Sequence, residues 1–266
     1  MRLCSIASGS SGNCIYVGSD DTHILVDVGI SCKRIEQGLG KAGLTGKDVS
    51  GILITHEHSD HIQGIGVLAR KYEIPMYATK GTIDGILNSS RSLGDFDINL
   101  FREINVDEDV KIGDLEVHPF HISHDAKDPC GYRIGCGNST VGIATDMGTF
   151  NAYTIAQLQG LDAILLEANH DVRMLQAGPY TYALKQRVMS DYGHLSNENS
   201  GLLLNKILHK GLKHIMLGHL SKENNMPEIA YETVKFEINM ADTPFRAEDF
   251  HLCVAKRDME SEMLHF

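Results

Sequence analysis

A chain of 266 residues, 42% hydrophobic and 22% charged, is long enough to bury a large core and has the make-up of an ordinary globular protein. Its net charge of −11 argues against a broad basic surface for gripping nucleic acid, and no apolar run approaches the roughly 18–20 residues of a membrane span. The six scattered cysteines form no C-x-x-C pair, which excludes a zinc knuckle or redox motif and reads as buried thiols in a reducing cytoplasm.

The opening, MRLCSIASGS, carries a positive charge but no apolar stretch, and does not read as a secretory signal. Short β-branched runs predict strands over 2–7, 14–18, 23–27 and 52–55. Between the first two lies SGSSGN (8–13), for which two readings stand. Its backbone N–H groups could be offered to phosphate oxygens, with Ser10, Ser11 and Asn13 as substrate contacts, or it could be a tight hairpin rich in turn formers.

The densest polar stretch is THEHSDH (55–61), directly after ILIT. His56 and His58 leave a strand end two positions apart, so they face the same side. Ser59 is expected to cap a helix running to about residue 72, with Asp60 and His61 in its first turn and able to reach a second ion. Imidazoles and a carboxylate at this density suit borderline metal ions, and Glu57 is left out of the ligand set. An H-E-x-x-H helix is excluded, because the position four after His56 is Asp60.

Further strands are expected over 115–122, 140–145 and 163–168. EANHD (167–171) ends the last of these and puts Asn169, His170 and Asp171 at a rim, to position substrate or to finish the strand. PYTYALKQRVMSDYG reads as a helix ending at Gly193. Tyr180 and Tyr182 at its start could stack on a base or pack. Lys127, Arg173, Lys185, Arg187 and Lys222 are candidate backbone contacts. GHLSNEN (193–199) then returns as GHLSKEN (218–224), each copy offering Ser and Asn to cap a helix and turn N–H groups toward an anion. A helix over 196–210 and strands over 214–218 and 250–255 complete the pattern. Strands and helices in this order suit two packed sheets with helices outside, in one compact domain, better than one doubly wound sheet.

H-x-H-x-D-H after an apolar strand resembles the signature of the metallo-β-lactamase-fold hydrolases. The resemblance implies an α/β fold, a four-layer αββα sandwich, and a dinuclear centre of two divalent metal ions, Zn2+ or Mn2+. It implies that Asp27, ending ILVDVG, braces the metal loop, and that His124 of ISHDA and Asp146 of ATDMG are ligands, Asp146 bridging both ions. His121 is the rival to His124, set aside because a mid-strand histidine more often packs. One ion would take His56, His58 and His124, and the other Asp60, His61 and His219. His219 follows an apolar strand, the rigid end a ligand wants, whereas His194 follows a helix. The resemblance implies that His194 meets the scissile phosphate or protonates the leaving oxygen, against the alternative that it only stabilises its own loop, and Asp60 could also orient the nucleophile. Together SGSSGN, THEHSDH, SHDA, TDMG, EANHD and the paired GHLS loops are similar to the compact, YycJ-type bacterial branch, which implies 5′ exonuclease activity on a DNA substrate; the lack of a long apolar run gives no sign of a membrane partner. A thioesterase or lactonase using the same metals, and a metal-binding regulator without turnover, are the competing functions.

Overall fold

A computed structural model describes residues 1–89 and 93–266. Along the chain come β1 (Arg2–Ala7), β2 (Cys14–Gly18), β3 (His23–Val26), α1 (Cys32–Lys41), β4 (Val49–Leu53), α2 (Ser59–Ile62), α3 (Ile65–Tyr72) and β5 (Met76–Ala78). Next are α4 (Lys80–Ser89), β6 (Phe101–Glu103), β7 (Val110–Ile112), β8 (Leu115–His121), β9 (Cys130–Cys136), β10 (Ser139–Ala144), α5 (Ala152–Gln157) and β11 (Ala163–Glu167). The last are α6 (Val172–Ala177), α7 (Tyr182–Val188), α8 (Asn197–Ile207), β12 (His214–Gly218), α9 (Pro227–Met240), β13 (His251–Val254) and β14 (Leu264–His265). The chain divides into two compact units, Met1–His121 with Ala126–Asn138 and Lys256–His265, and Ile122–Asp125 with Ser139–Ala255 and Phe266.

In the first unit, strands in the order β14-β1-β2-β3-β4-β5-β6 form a mixed sheet. Pairing is antiparallel from β14 to β3, where short loops join β1, β2 and β3. It is parallel from β3 to β6, where the longer connections contain α1 to α4, as parallel neighbours require. Every residue of CIYVG in β2 is buried, which explains why that strand shows no in–out alternation. Ile35 and Leu39 of α1, Ile65 and Leu68 of α3 and Ile86 of α4 share one core with Ile6, Tyr16, Leu25 and Ile52. Each such apolar side chain contributes about 1.5–3 kcal/mol by leaving water. The unit also contains the antiparallel meander β7-β8-β9, where the buried Tyr132 hydroxyl donates to the Ile54 carbonyl at 2.6 Å.

In the second unit β10, β11, β12 and β13 pair in parallel, and AILLE of β11 is buried at every position. Helices α8 and α9 pack on one another and bury Leu203, Leu204 and Ile207, and Ala230, Val234 and Ile238.

Local details depart from the sequence reading. The helix expected over 59–72 is broken, because the Gly64 N–H bonds to the Val28 carbonyl at 2.7 Å. Ser59 is the first helical residue and not the cap; His58 holds that position without a side-chain bond. Ser196 does cap α8, accepting from the Asn199 N–H at 3.2 Å. Its counterpart Ser221 accepts from the Asn224 N–H in a tight turn, and α9 starts further on, with Met226 at its cap and Pro227 in its first turn.

Candidate active site

In the first unit the parallel pair β3–β4 brings the residues after both strands to one sheet edge. Asp27 follows β3 in a left-handed conformation (φ 59°) that a short acidic side chain tolerates better than most. It is fully buried, and its Oδ1 accepts from the Thr55 N–H at 2.9 Å. Its Oδ2 meets the Thr55 hydroxyl at 2.9 Å and His61 Nδ1 at 2.8 Å. Since the Thr55 hydroxyl donates to Asp27, it accepts from His56 Nδ1 at 3.0 Å. Both histidines therefore carry the proton on Nδ1 and the lone pair on Nε2. His61 Nε2 accepts from the Asn13 amide at 3.2 Å and lies 3.5 Å from Asp60 Oδ2. The rings of His58 and His61 lie with their centroids 4.6 and 4.1 Å from that of His56. Gly29 permits the packing, because a Cβ there would meet the Asp60 carbonyl oxygen at 1.6 Å.

Ser10 and Ser11 are exposed and line a cavity of about 550 Å³ with Glu57, His58, Ser59 and Asp60. Asn13 is buried and locks its loop to the histidine segment, its N–H donating to the Asp60 carbonyl at 2.8 Å. Glu57 faces the loop at 126–128, accepting from the Lys127 N–H at 3.0 Å.

The second unit holds a cluster organised by a residue that sequence reasoning passed over. Glu167, last in β11, is fully buried, and its Oε1 accepts from His194 Nδ1 at 2.7 Å and from His219 Nδ1 at 3.1 Å. The two histidines of the repeated phrase thus meet one carboxylate oxygen, with rings stacked at 5.4 Å. Its Oε2 accepts from the N–H groups of Met147 and Leu195 at 2.8 and 3.2 Å. Burial works against charge on Glu167, but His194 and His219 outweigh it and hold the carboxyl far below the usual range. Burial likewise works against a charged His194, yet Glu167 and Asp146 raise its pKa. Nearby His170 is buried, and desolvation outweighs the pull of Glu167 and Asp171 and lowers it to about 4.

Asp146, just past β10 with φ 60°, is buried, and its Oδ1 lies 3.4 Å from His219 Nε2, 3.6 Å from His194 Nδ1 and 3.8 Å from His124 Nε2. Asp146, Glu167, His194 and His219 present ligand atoms within 4.8 Å of one another. His124 Nδ1 donates to the Gly193 carbonyl at 3.1 Å, which places its lone pair on Nε2. His121 is exposed at the end of β8. Asn169 is buried and donates to the His219 carbonyl at 2.9 Å, fixing a ligand candidate from behind. Asp171 caps α6. Tyr182, Arg173 and Lys222 are exposed, Tyr180 is half-buried, Lys185 donates to the Gln176 carbonyl and Arg187 pairs with Asp125.

This donor chemistry fits divalent metal ions. In His56, His61, His124 and His219, Nδ1 is taken by a hydroxyl, a carboxylate or a carbonyl, the arrangement usual in metal-ligating histidines, which bind through the other nitrogen. The sequence signal for Glu167 was available: an acid ending an otherwise apolar strand, AILLE, must be paired or functional.

Comparison with known proteins places the chain in a class. The family described as the beta-lactamase superfamily domain matches residues 22–212, and the chain belongs to that family. The solved structure of the metallo-beta-lactamase fold protein YhfI from Bacillus subtilis covers 98% of each chain with a TM-score of 0.71 at 16% identity, which shows the fold class that the motifs implied. Exodeoxyribonuclease YycJ of Bacillus anthracis is 42% identical over 234 residues, covering 88% of either chain. Exodeoxyribonuclease WalJ of Streptococcus pneumoniae serotype 2 is 41% identical over 237 residues, covering 89% of this chain and 88% of that one. Among the described residues no helix is long and apolar enough to cross a membrane.

Proposed function

We propose that this protein is a metal-dependent phosphodiesterase that removes nucleotides from DNA, working from the 5′ end, with two divalent ions, Zn2+ or Mn2+, as cofactors. The proposed ligands are His56, His58, Asp60 and His61 with His124, Asp146 and His219, as family membership and the Nε2 lone pairs support. Ions held there would offset charge on the phosphate and make water acidic enough to ionise near neutral pH.

The observation that carries the reading is the His194–Glu167 pair. Glu167 holds Nδ1 and stabilises the charged ring, while the side chain of His194 stays one-fifth exposed. Its Nε2 then donates a proton to the leaving oxygen, a contribution of roughly 10²–10⁴-fold for a placed general acid. Asp60, partly exposed in the cavity, orients the attacking water by accepting its hydrogen. Ser10 and Ser11 in the same cavity hold phosphate oxygens. Asn13 and Asn169 act from behind, by fixing the loops that carry His61 and His219. Six free cysteines support a reducing, cytoplasmic setting.

The test is to incubate the purified protein with Zn2+ or Mn2+ and a 5′-labelled oligodeoxynucleotide, beside a thioester and a lactone. Release of labelled mononucleotide is expected. Turnover of the thioester or lactone with an intact oligonucleotide would overturn the reading.

A further inference from the structure

We propose that Tyr192 is a stacking platform for a base of single-stranded DNA next to the scissile phosphate, and that the outer stripe of α7 carries the strand onward. The inference rests on the phosphodiesterase reading and names how that site selects its substrate.

Tyr192 is 62% exposed, yet its backbone lies in a loop tied down on both sides by hydrogen bonds. Its carbonyl accepts from the Asp125 N–H at 3.1 Å, and the Asp191 carbonyl before it accepts from the Ser123 hydroxyl at 2.7 Å. The Gly193 carbonyl after it accepts from His124 Nδ1 at 3.1 Å, and the His194 N–H donates to the Val188 carbonyl at 3.0 Å. Gly148 seats the loop from beneath, since a Cβ there would lie 2.3 Å from the Asp191 backbone and 2.5 Å from the Gly193 nitrogen. A large ring is thus held outward on a rigid turn, two residues before the proposed proton donor. An aromatic contact on such a turn loses little freedom when a base stacks on it.

The same segment continues the track. Tyr182, Lys185, Gln186 and Met189 recur at helical spacing on one side of α7, and with Gln176 they line a cavity of about 330 Å³. Tyr182 is 78% exposed. Beside these rings stand Arg173, Lys185 and Arg187, with Asp171 and Asp191 flanking the segment and Arg187 paired with Asp125. Exposed rings interleaved with cations are how proteins grip single strands without reading sequence, and a paired duplex offers its base faces only at a frayed end.

The experiment measures binding of the metal-loaded protein to a fluorescent oligothymidylate with phosphorothioate linkages, which resists hydrolysis, and to the same chain with abasic ends. Tyr192→Ala should weaken binding to the thymidylate about tenfold, Tyr192→Phe should restore it within about twofold, and Tyr192→Leu should not. With abasic ends the wild type should lose the same factor and Tyr192→Ala should lose no more. Tyr182→Ala should weaken longer oligonucleotides but leave a dinucleotide unaffected. Unchanged binding in Tyr192→Ala, rescue by Leu equal to that by Phe, an additive loss with abasic ends, or tighter binding of the matching RNA would each overturn the proposal. Tyrosine-dependent binding without hydrolysis of any oligonucleotide would keep the platform and refute the phosphodiesterase reading. Hydrolysis that ignores Tyr192 would do the reverse.

Discussion

An ionised carboxylate taken wholly out of water costs several kcal/mol unless partners replace its hydration, and Glu167 shows what a full set of partners looks like. Two imidazole N–H groups and two backbone N–H groups occupy its oxygens. Glu167→Gln keeps the shape but loses the charge, so the His194 ring is no longer held charged for its proposed role as proton donor. We expect kcat to fall about 10²-fold or more with the circular dichroism spectrum unchanged, and Glu167→Asp to recover part of the loss. The proposed duties of His58 and His194 separate in the same assay once metal content is measured. His58→Ala should lose bound metal and all hydrolysis while staying folded. His194→Ala should keep its metal and turn over about 10²-fold more slowly. Equal metal loss in both would refute the division of roles. The part of the site legible in the sequence was the dense THEHSDH run, whose residues are close in space because they are close in the chain. Glu167 escaped because its partners are 27 and 52 positions away.

At the scale of elements, the backbone just beyond the strands is strained at three residues of the candidate site. Asp27, Asp146 and His219 all have positive φ, and each follows a strand end by one residue or two. Such conformations cost of order 1–3 kcal/mol and persist when the surroundings over-determine them. Glu73 has the same backbone (φ 55°) at the end of α3, away from any of these side chains, and so serves as a control. Glu73→Gly should stabilise the protein by about 0.5–1 kcal/mol, raising the melting temperature by about 2 °C with activity unchanged. Strand positions were readable because buried strands such as CIYVG and AILLE are apolar throughout. The break between α2 and α3 was not, because it depends on a bond from Gly64 to Val28, a residue of another segment. The two GHLS copies, alike in sequence, also part at this scale: one runs straight into α8, and the other turns before α9.

At the scale of the whole molecule, a chain of net charge −11 that contains clustered histidines and carboxylates should depend on bound cations for its stability. Chelation is expected to lower the melting temperature by several degrees, and Zn2+ or Mn2+ to restore it. A ligand at a hundred times its Kd contributes about 2.7 kcal/mol to the folded state. A melting temperature indifferent to chelator and added metal would contradict the metal assignment. The sequence by itself determined the family, the strand-end histidines and the character of the core, because these are written in short-range pattern: apolar runs, residue spacing and a motif of seven residues. Only the tertiary structure decided that both histidines of the repeated phrase share Glu167, that Asn13 and Asn169 brace loops from behind, and that Tyr192 stands outward on a rigid turn. Those facts depend on which distant segments fold onto one another, and one local phrase, GHLS, is compatible with either outcome.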